Sequence, residues 1–134
     1  MSNIRALAEV VLLVQDLERS LAFYRDILGL SVISPAGAPA TFLRVGAEGA
    51  GVPQQIVLVP RPARAGPAAG KAGQSLHHIG LEVAASDFAA ERERLAGLGF
   101  APRGGQHPFL PVEAFYVDDP DGNEVEIVCR VERV

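Results

Sequence analysis

The chain has 134 residues, of which 49% are hydrophobic and 21% charged, with a net charge of −4. This is one domain's worth of residues, able to bury a core, and excludes a disordered chain. A single cysteine, Cys129, excludes an internal disulfide and a cysteine-rich zinc site, and three histidines mean that any metal site leans on carboxylates.

The first residues, Met1 to Glu9, lack a basic segment followed by an apolar stretch, so no secretory signal is expected. No apolar run approaches the roughly 18 residues that cross a bilayer. The acidic balance, one lysine (Lys71) and scattered arginines argue against nucleic acid. The expectation is a cytoplasmic protein acting on a small molecule, with no nucleic-acid or membrane partner.

Glu9-Val10-Val11-Leu12-Leu13-Val14 alternates aliphatic residues at Val10, Leu12 and Val14, which predicts a strand with one face on a core. A helix is predicted over Asp16–Gly29, with Asp16 as N-cap, Gly29 as left-handed stop and Leu17, Leu21, Tyr24 and Leu28 as its apolar stripe. Short strands are predicted at Ser31–Ser34, Thr41–Val45 and Gln55–Val59. The stretch from Arg61 to Gln74, rich in Ala, Gly and Pro, is read as a linker.

The second half repeats the first at an offset of 69 residues, from Glu9 to His78. His78-Ile79-Gly80-Leu81-Glu82-Val83 is its first strand. Its helix is predicted over Ser86–Gly99, with Phe88, Leu95 and Leu98 as the stripe. Strands at Phe100–Arg103, Glu113–Val117 and Glu124–Cys129 follow, the last two joined by the tight-turn sequence Asp119-Pro120-Asp121-Gly122-Asn123. The fold class is α+β: two βαβββ modules, 6–60 and 75–131 about a 61–74 linker, form a curved eight-stranded mixed sheet in a single domain, 1–134.

Strand alternation puts Glu9, His78 and Glu126 on the face turned away from the helices. Two carboxylates and an imidazole suit a divalent ion with open positions: Fe, Mn, Zn or Ni. Val125, Ile127 and Cys129 fall on the opposite, core face. Glu124 is read as a solvent residue, and Arg44 as a solvated residue of the third strand. His77 is read at the strand edge and His107 in a loop, where it either caps a pocket or is exposed.

These motifs resemble the vicinal oxygen chelate superfamily, which includes glyoxalase I, extradiol dioxygenases, fosfomycin-resistance enzymes and bleomycin-resistance proteins. The resemblance runs from about Leu7 to Val131. Its carriers are Val14 to Leu30, His78 to Val83, and Asp119 to Val128. It implies metal ligands on the first and last strand of each module, which places Glu9, His78 and Glu126. The fourth position falls on Val57, so the four-ligand glyoxalase I pattern is broken. The three-ligand remainder resembles dioxygenases and fosfomycin enzymes, although Glu9 stands where those carry histidine. Phe115-Tyr116, ten residues before Glu126, matches the extradiol pattern in which the tyrosine contacts substrate. Gln54 and Gln55 stand where that family's acid–base histidine would be.

The resemblance therefore implies a metal-dependent, dioxygenase-like enzyme, with Tyr116 and Glu126 as catalytic residues and Glu9, His78 and Glu126 as metal ligands. It would chelate a small substrate through neighbouring oxygens. Two alternatives stay open: a metal-free binding protein of the bleomycin-resistance type, and a metal-independent lyase or isomerase with Glu9 or Glu126 as base. A homodimer is expected, since sheet edges seek cover. Whether the modules pair within one chain or between two stays open.

Overall fold

Burial alternates along Glu9–Val14, with Leu12 and Val14 buried and Val11 and Leu13 about half exposed, as a strand with one covered face requires. In the computed structural model, which describes residues 2–47, 51–61 and 76–131, this strand belongs to the first of two compact units, Met1–Ala68 and Ala69–Val134. Each unit is a βαβββ module with its own four-stranded mixed sheet, the glyoxalase-like arrangement expected. Among the described residues no helix is long and apolar enough to cross a membrane.

In the first unit β1 (Glu9–Val14) leads into α1 (Leu17–Leu21), which continues as a π-helical segment over Ala22–Ile27. The strands β2 (Ser31–Val32), β3 (Thr41–Gly46) and β4 (Gln54–Pro60) complete the sheet in the order β1-β4-β3-β2. β1 runs parallel to β4, and the other pairs are antiparallel. Asp16 caps the helix, its side chain accepting from the Arg19 N–H.

The regular helix expected over Asp16–Gly29 is corrected by the π segment. Leu28 N–H donates to the Phe23 carbonyl, five residues back, and the wider turn changes which residues face inward. Ser20, Leu21, Phe23 and Tyr24 are buried, whereas Leu17 and Leu28 are only half-buried. Phe23 and Tyr24 pack edge to face with centroids 4.9 Å apart.

The second unit is built from β5 (His78–Glu82), a 3-10 turn at Ala85–Asp87, α2 (Phe88–Gly97), β6 (Arg103–Gly105), β7 (Val112–Asp118) and β8 (Glu124–Arg130). Strand order is β5-β8-β7-β6, with β5 parallel to β8. α2 packs on β8, and Phe88 and Leu95 join Phe115, Val117, Val125, Ile127 and Cys129 in the core. Cys129 is therefore on the core face, as the alternation predicts.

Two expectations fail at the end of α2. Leu98 is 54% exposed, and the strand starts at Arg103 rather than Phe100. Both follow from the helix stop. Gly99 N–H donates to Ala96 and Phe100 N–H to Leu95, the paired bonds of a Schellman motif, with Gly99 at φ +97°. Phe100 is thus still closing the helix, and Leu98 is turned outward. Of the segment read as linker, all but Arg61 lies outside the described residues. The Arg61 N–H donates to the Val14 carbonyl at 2.7 Å.

Candidate functional site

On the face of the sheet turned away from the helix, the second unit gathers polar side chains, whereas the first carries both polar and apolar ones. In the second unit the register sets them in rows. His78 pairs with Glu124 and Glu124 with Asp118; Gly80 pairs with Glu126 and Glu126 with Tyr116. The first unit has the same rows with different chemistry. Glu9 pairs with Gln55 and Gln55 with Arg44; Val11 pairs with Val57 and Val57 with Phe42. Gly80–Glu126–Tyr116 thus has an apolar counterpart in Val11–Val57–Phe42. The offset of 69 residues read from the sequence holds in the structure for the first and last strands of the modules, while Phe42 and Tyr116 stand 74 apart.

Glu126 is held by its row. Tyr116 donates its phenolic hydrogen to Glu126 Oε2 at 2.7 Å. A Cβ on Gly80 would sit 2.9 Å from Glu126 Oε1, so the carboxylate occupies the space a side chain would fill. The Tyr116 ring in turn lies on Gly105, where a Cβ would collide with ring atom Cε2 and stand 3.1 Å from Cδ2. The glutamate raises the tyrosine's pKa from 10.0 to about 12, first by accepting its hydrogen bond, then through burial of the phenol and the carboxylate charge. Tyr116 is therefore a neutral donor near neutral pH.

His78 packs edge to face on Tyr116, with centroids 5.5 Å apart. Its Nδ1 lies 2.8 Å from His77 Nδ1, so one of these nitrogens carries the shared proton. His78 Nε2 has no hydrogen-bond partner among the described residues. The structure therefore assembles His78, Tyr116 and Glu126 on one open face. Glu9 stands on the open face of the first unit, exposed, with no ion pair or hydrogen bond from its side chain among the described residues. Among the described residues no three His, Cys, Asp or Glu side chains are grouped as a ready-made metal cage. In kind, an imidazole nitrogen and a carboxylate oxygen fit a divalent ion, and His78 Nε2 and Glu126 Oε1 are the atoms left to offer.

A cavity of about 300 Å³ adjoins Glu126 in the second unit, lined by Glu82, His107, Leu110, Val112, Val128, Cys129 and Arg130 as well. His107, left open in the sequence, thus lines a pocket. Its Nδ1 accepts from the Phe109 and Leu110 N–H groups at 3.2 and 2.9 Å, which folds the loop around the ring. Glu124 is not the plain solvent residue expected. Its Oε1 is 3.4 Å from Arg103 Nη2, which also donates to Asp118 at 2.8 Å. Arg44 is exposed, as expected. Sequence reasoning missed Arg130 and the two glycines. A glycine inside a strand pattern, facing a carboxylate one strand away, is the signal that marks Gly80.

The comparisons agree with this architecture. A lactoylglutathione lyase of Salmonella typhimurium (strain LT2) is 27% identical over 122 residues, spanning 91% of this chain and 90% of that protein. The solved structure of a glyoxalase/dioxygenase from Nostoc punctiforme superposes with a TM-score of 0.75 at 22% identity, over 97% of this chain and 94% of that one. TnmS3, an antibiotic binding protein from Streptomyces sp. CB03234, does so with a TM-score of 0.65 at 24% identity, over 98% and 100%. The family model for the Glyoxalase/Bleomycin resistance protein/Dioxygenase superfamily matches residues 6–127, and with both βαβββ modules in place the chain belongs to that superfamily.

Proposed function

We propose that the chain is a metal-dependent enzyme of this superfamily, dioxygenase-like in type, acting on a small substrate chelated through neighbouring oxygens. The observation that carries the reading is the Gly80–Glu126–Tyr116 row beside His78. Backbone-level space at Gly80 and the Tyr116 hydrogen bond fix a carboxylate on an open face, next to an imidazole with a spare nitrogen. His78 and Glu126 would hold the ion, and Glu9 is the remaining donor that the sequence pattern offers. Bound there, a divalent ion would supply Lewis-acid stabilisation of a developing oxyanion. Tyr116, neutral and oriented, would donate to a substrate oxygen; Glu126, accepting that same proton in the free protein, keeps the phenol aimed.

Metal analysis of protein purified without chelators tests this. The expected result is a stoichiometric divalent ion that raises the melting temperature, with both effects lost in His78→Ala and Glu126→Gln and weakened in Glu9→Gln. No metal and no shift with Fe, Mn, Zn or Ni overturns it. Oxygen uptake with a catechol then separates the dioxygenase-like reading from a lyase, which would consume no oxygen. A homodimer belongs to the same reading and is checked by light scattering.

A second reading has its own support. The counterpart row in the first unit, Val11–Val57–Phe42, is apolar, with Val11 and Leu13 about half exposed. An apolar row at this position offers no metal ligand and favours ligand binding without a metal; TnmS3, which shares the fold, is an antibiotic binding protein. Tight binding of an aromatic ligand by chelator-treated protein, without turnover, would favour this reading.

A further inference from the structure

Glu82 and Arg130 bear opposite charges and line the same two concavities of the second unit, one beside Glu126 and a second formed with Val83, Ala84 and Ala85. The register explains their proximity. Glu82 pairs with Val128 on β8, and Arg130 lies two residues further along the same face. Yet among the described residues neither side chain makes an ion pair or a hydrogen bond. Arg103, one strand edge away, shows the contrast: its guanidinium is engaged by both Asp118 and Glu124. On β8 Val128 lies between Arg130 and Glu126, and Val112, level with Arg130, and Leu110 add apolar lining to the cavity.

We propose that this cavity takes a small molecule with a zwitterionic, amino-acid-like end. The ammonium meets Glu82, the carboxylate meets Arg130, and an apolar or aromatic body runs along Val112 and Val128 toward Glu126. At the end of the cavity away from Glu126 the charged lining is one carboxylate and one guanidinium, which a two-charge, net-neutral group matches. There an anion alone would gain Arg130 but face Glu82, and a cation alone would gain Glu82 but face Arg130. The depth fits as well: Arg130 is four steps along β8 from Glu126, about 13 Å at about 3.3 Å per residue, the length of an aromatic amino acid with room to spare. This names the substrate class for the proposed function and rests on that reading only for what happens at Glu126. The binding itself requires no metal.

The test is calorimetric titration of chelator-treated protein with three near-isosteres: L-phenylalanine, 3-phenylpropionate and 2-phenylethylamine. L-phenylalanine should bind at least threefold more tightly than either single-charge probe, a modest factor because both side chains are solvent-exposed. Arg130→Met should remove the advantage over phenylethylamine, and Glu82→Gln the advantage over phenylpropionate. Each variant's unchanged melting temperature would show that the fold is intact. Equal binding of the three probes, or no binding of any, overturns the proposal. So does an advantage that survives both substitutions. Because the protein is metal-free throughout, an absent metal site would leave a positive result standing, and a negative result would leave the metal reading intact.

Discussion

Tyr116 and Glu126 face each other across β7 and β8, joined by a 2.7 Å hydrogen bond from phenol to carboxylate. Each partner is seated on a glycine of the neighbouring strand, Tyr116 on Gly105 and Glu126 on Gly80. The pair is thus framed by two positions where a side chain is missing. Its electrostatic signature is a phenol that titrates at about 12. Because the folded pKa lies above the unfolded one, the contribution to stability is complete below about pH 10. It is lost as pH rises from about 10 to about 12, where the unfolded chain releases the proton first. Carbon-13 NMR of labelled tyrosine should show Tyr116 titrating above pH 11. In Glu126→Gln the titration should move down toward 10, since the charged acceptor of the phenol's hydrogen bond is removed. An unchanged titration in that variant would refute the coupling.

Gly105→Ala puts a methyl group into the Tyr116 ring, a contact that only movement of the ring relieves. Tyr116 is backed by β7, whose neighbours Phe115 and Val117 are buried in the core. Overpacking of this kind costs about 1–3 kcal/mol. Urea unfolding should show that loss, and the Tyr116 titration should fall in the same variant as the ring leaves Glu126. Gly80→Ala differs: its Cβ would meet only the end of a flexible carboxylate, at 2.9 Å. Stability should change by less than about 0.5 kcal/mol, while the affinity for a divalent ion drops.

Much of this was legible in the chain itself. Period-two alternation and the Glu9-to-His78 offset located both modules, because a strand with one covered face has little freedom to hide its pattern. Helix stops at Gly29 and Gly99 were equally plain, each with positive φ. The π segment was not, because its effect is a change of face after Leu21 that no single residue announces. The site divides in the same way. Strand alternation places Glu126 on the open face, and the resemblance to the extradiol pattern points to Tyr116; the β7–β8 register is what makes the two neighbours. The role of Arg130 was hidden, because an arginine at a strand end reads as solvated until the loop that brings His107 and Leu110 to the same cavity is in place.

His107 makes a separate prediction. Two backbone N–H groups point at its Nδ1, so the neutral ring must carry its proton on Nε2. Nitrogen-15 correlation spectra of the imidazole above pH 8 should show the Nε2–H tautomer in large excess for His107. His107→Asn retains an acceptor that can reach part of the turn, whereas His107→Phe retains only the bulk of the ring. Amide exchange at Phe109 and Leu110 should therefore accelerate more in the phenylalanine variant. Equal populations of the two tautomers would show that Nδ1 does not hold the two backbone N–H groups.

Asp119 is 5% exposed, and it is the residue on which the turn into β8 is hung. Its Oδ1 accepts from the Asp121 and Asn123 N–H groups at 2.9 and 2.8 Å, and its Oδ2 accepts from Asn123 Nδ2 at 2.9 Å. These are bonds to a largely buried carboxyl group, so losing it leaves three part-buried donors without their acceptor. Asp119→Ala should cost on the order of 2–3 kcal/mol in urea unfolding. Asp119→Asn should cost less, because an amide oxygen can still accept from the two backbone groups. The functional consequence follows from position: four residues separate Asp119 from Glu124 and the start of β8, so a loosened turn frees the strand that carries Glu126. Divalent-ion affinity should thus fall in Asp119→Ala although the residue touches no proposed ligand, and it should recover in part in Asp119→Asn. A variant that loses stability but keeps full ion affinity would show that the turn and the site are energetically separate.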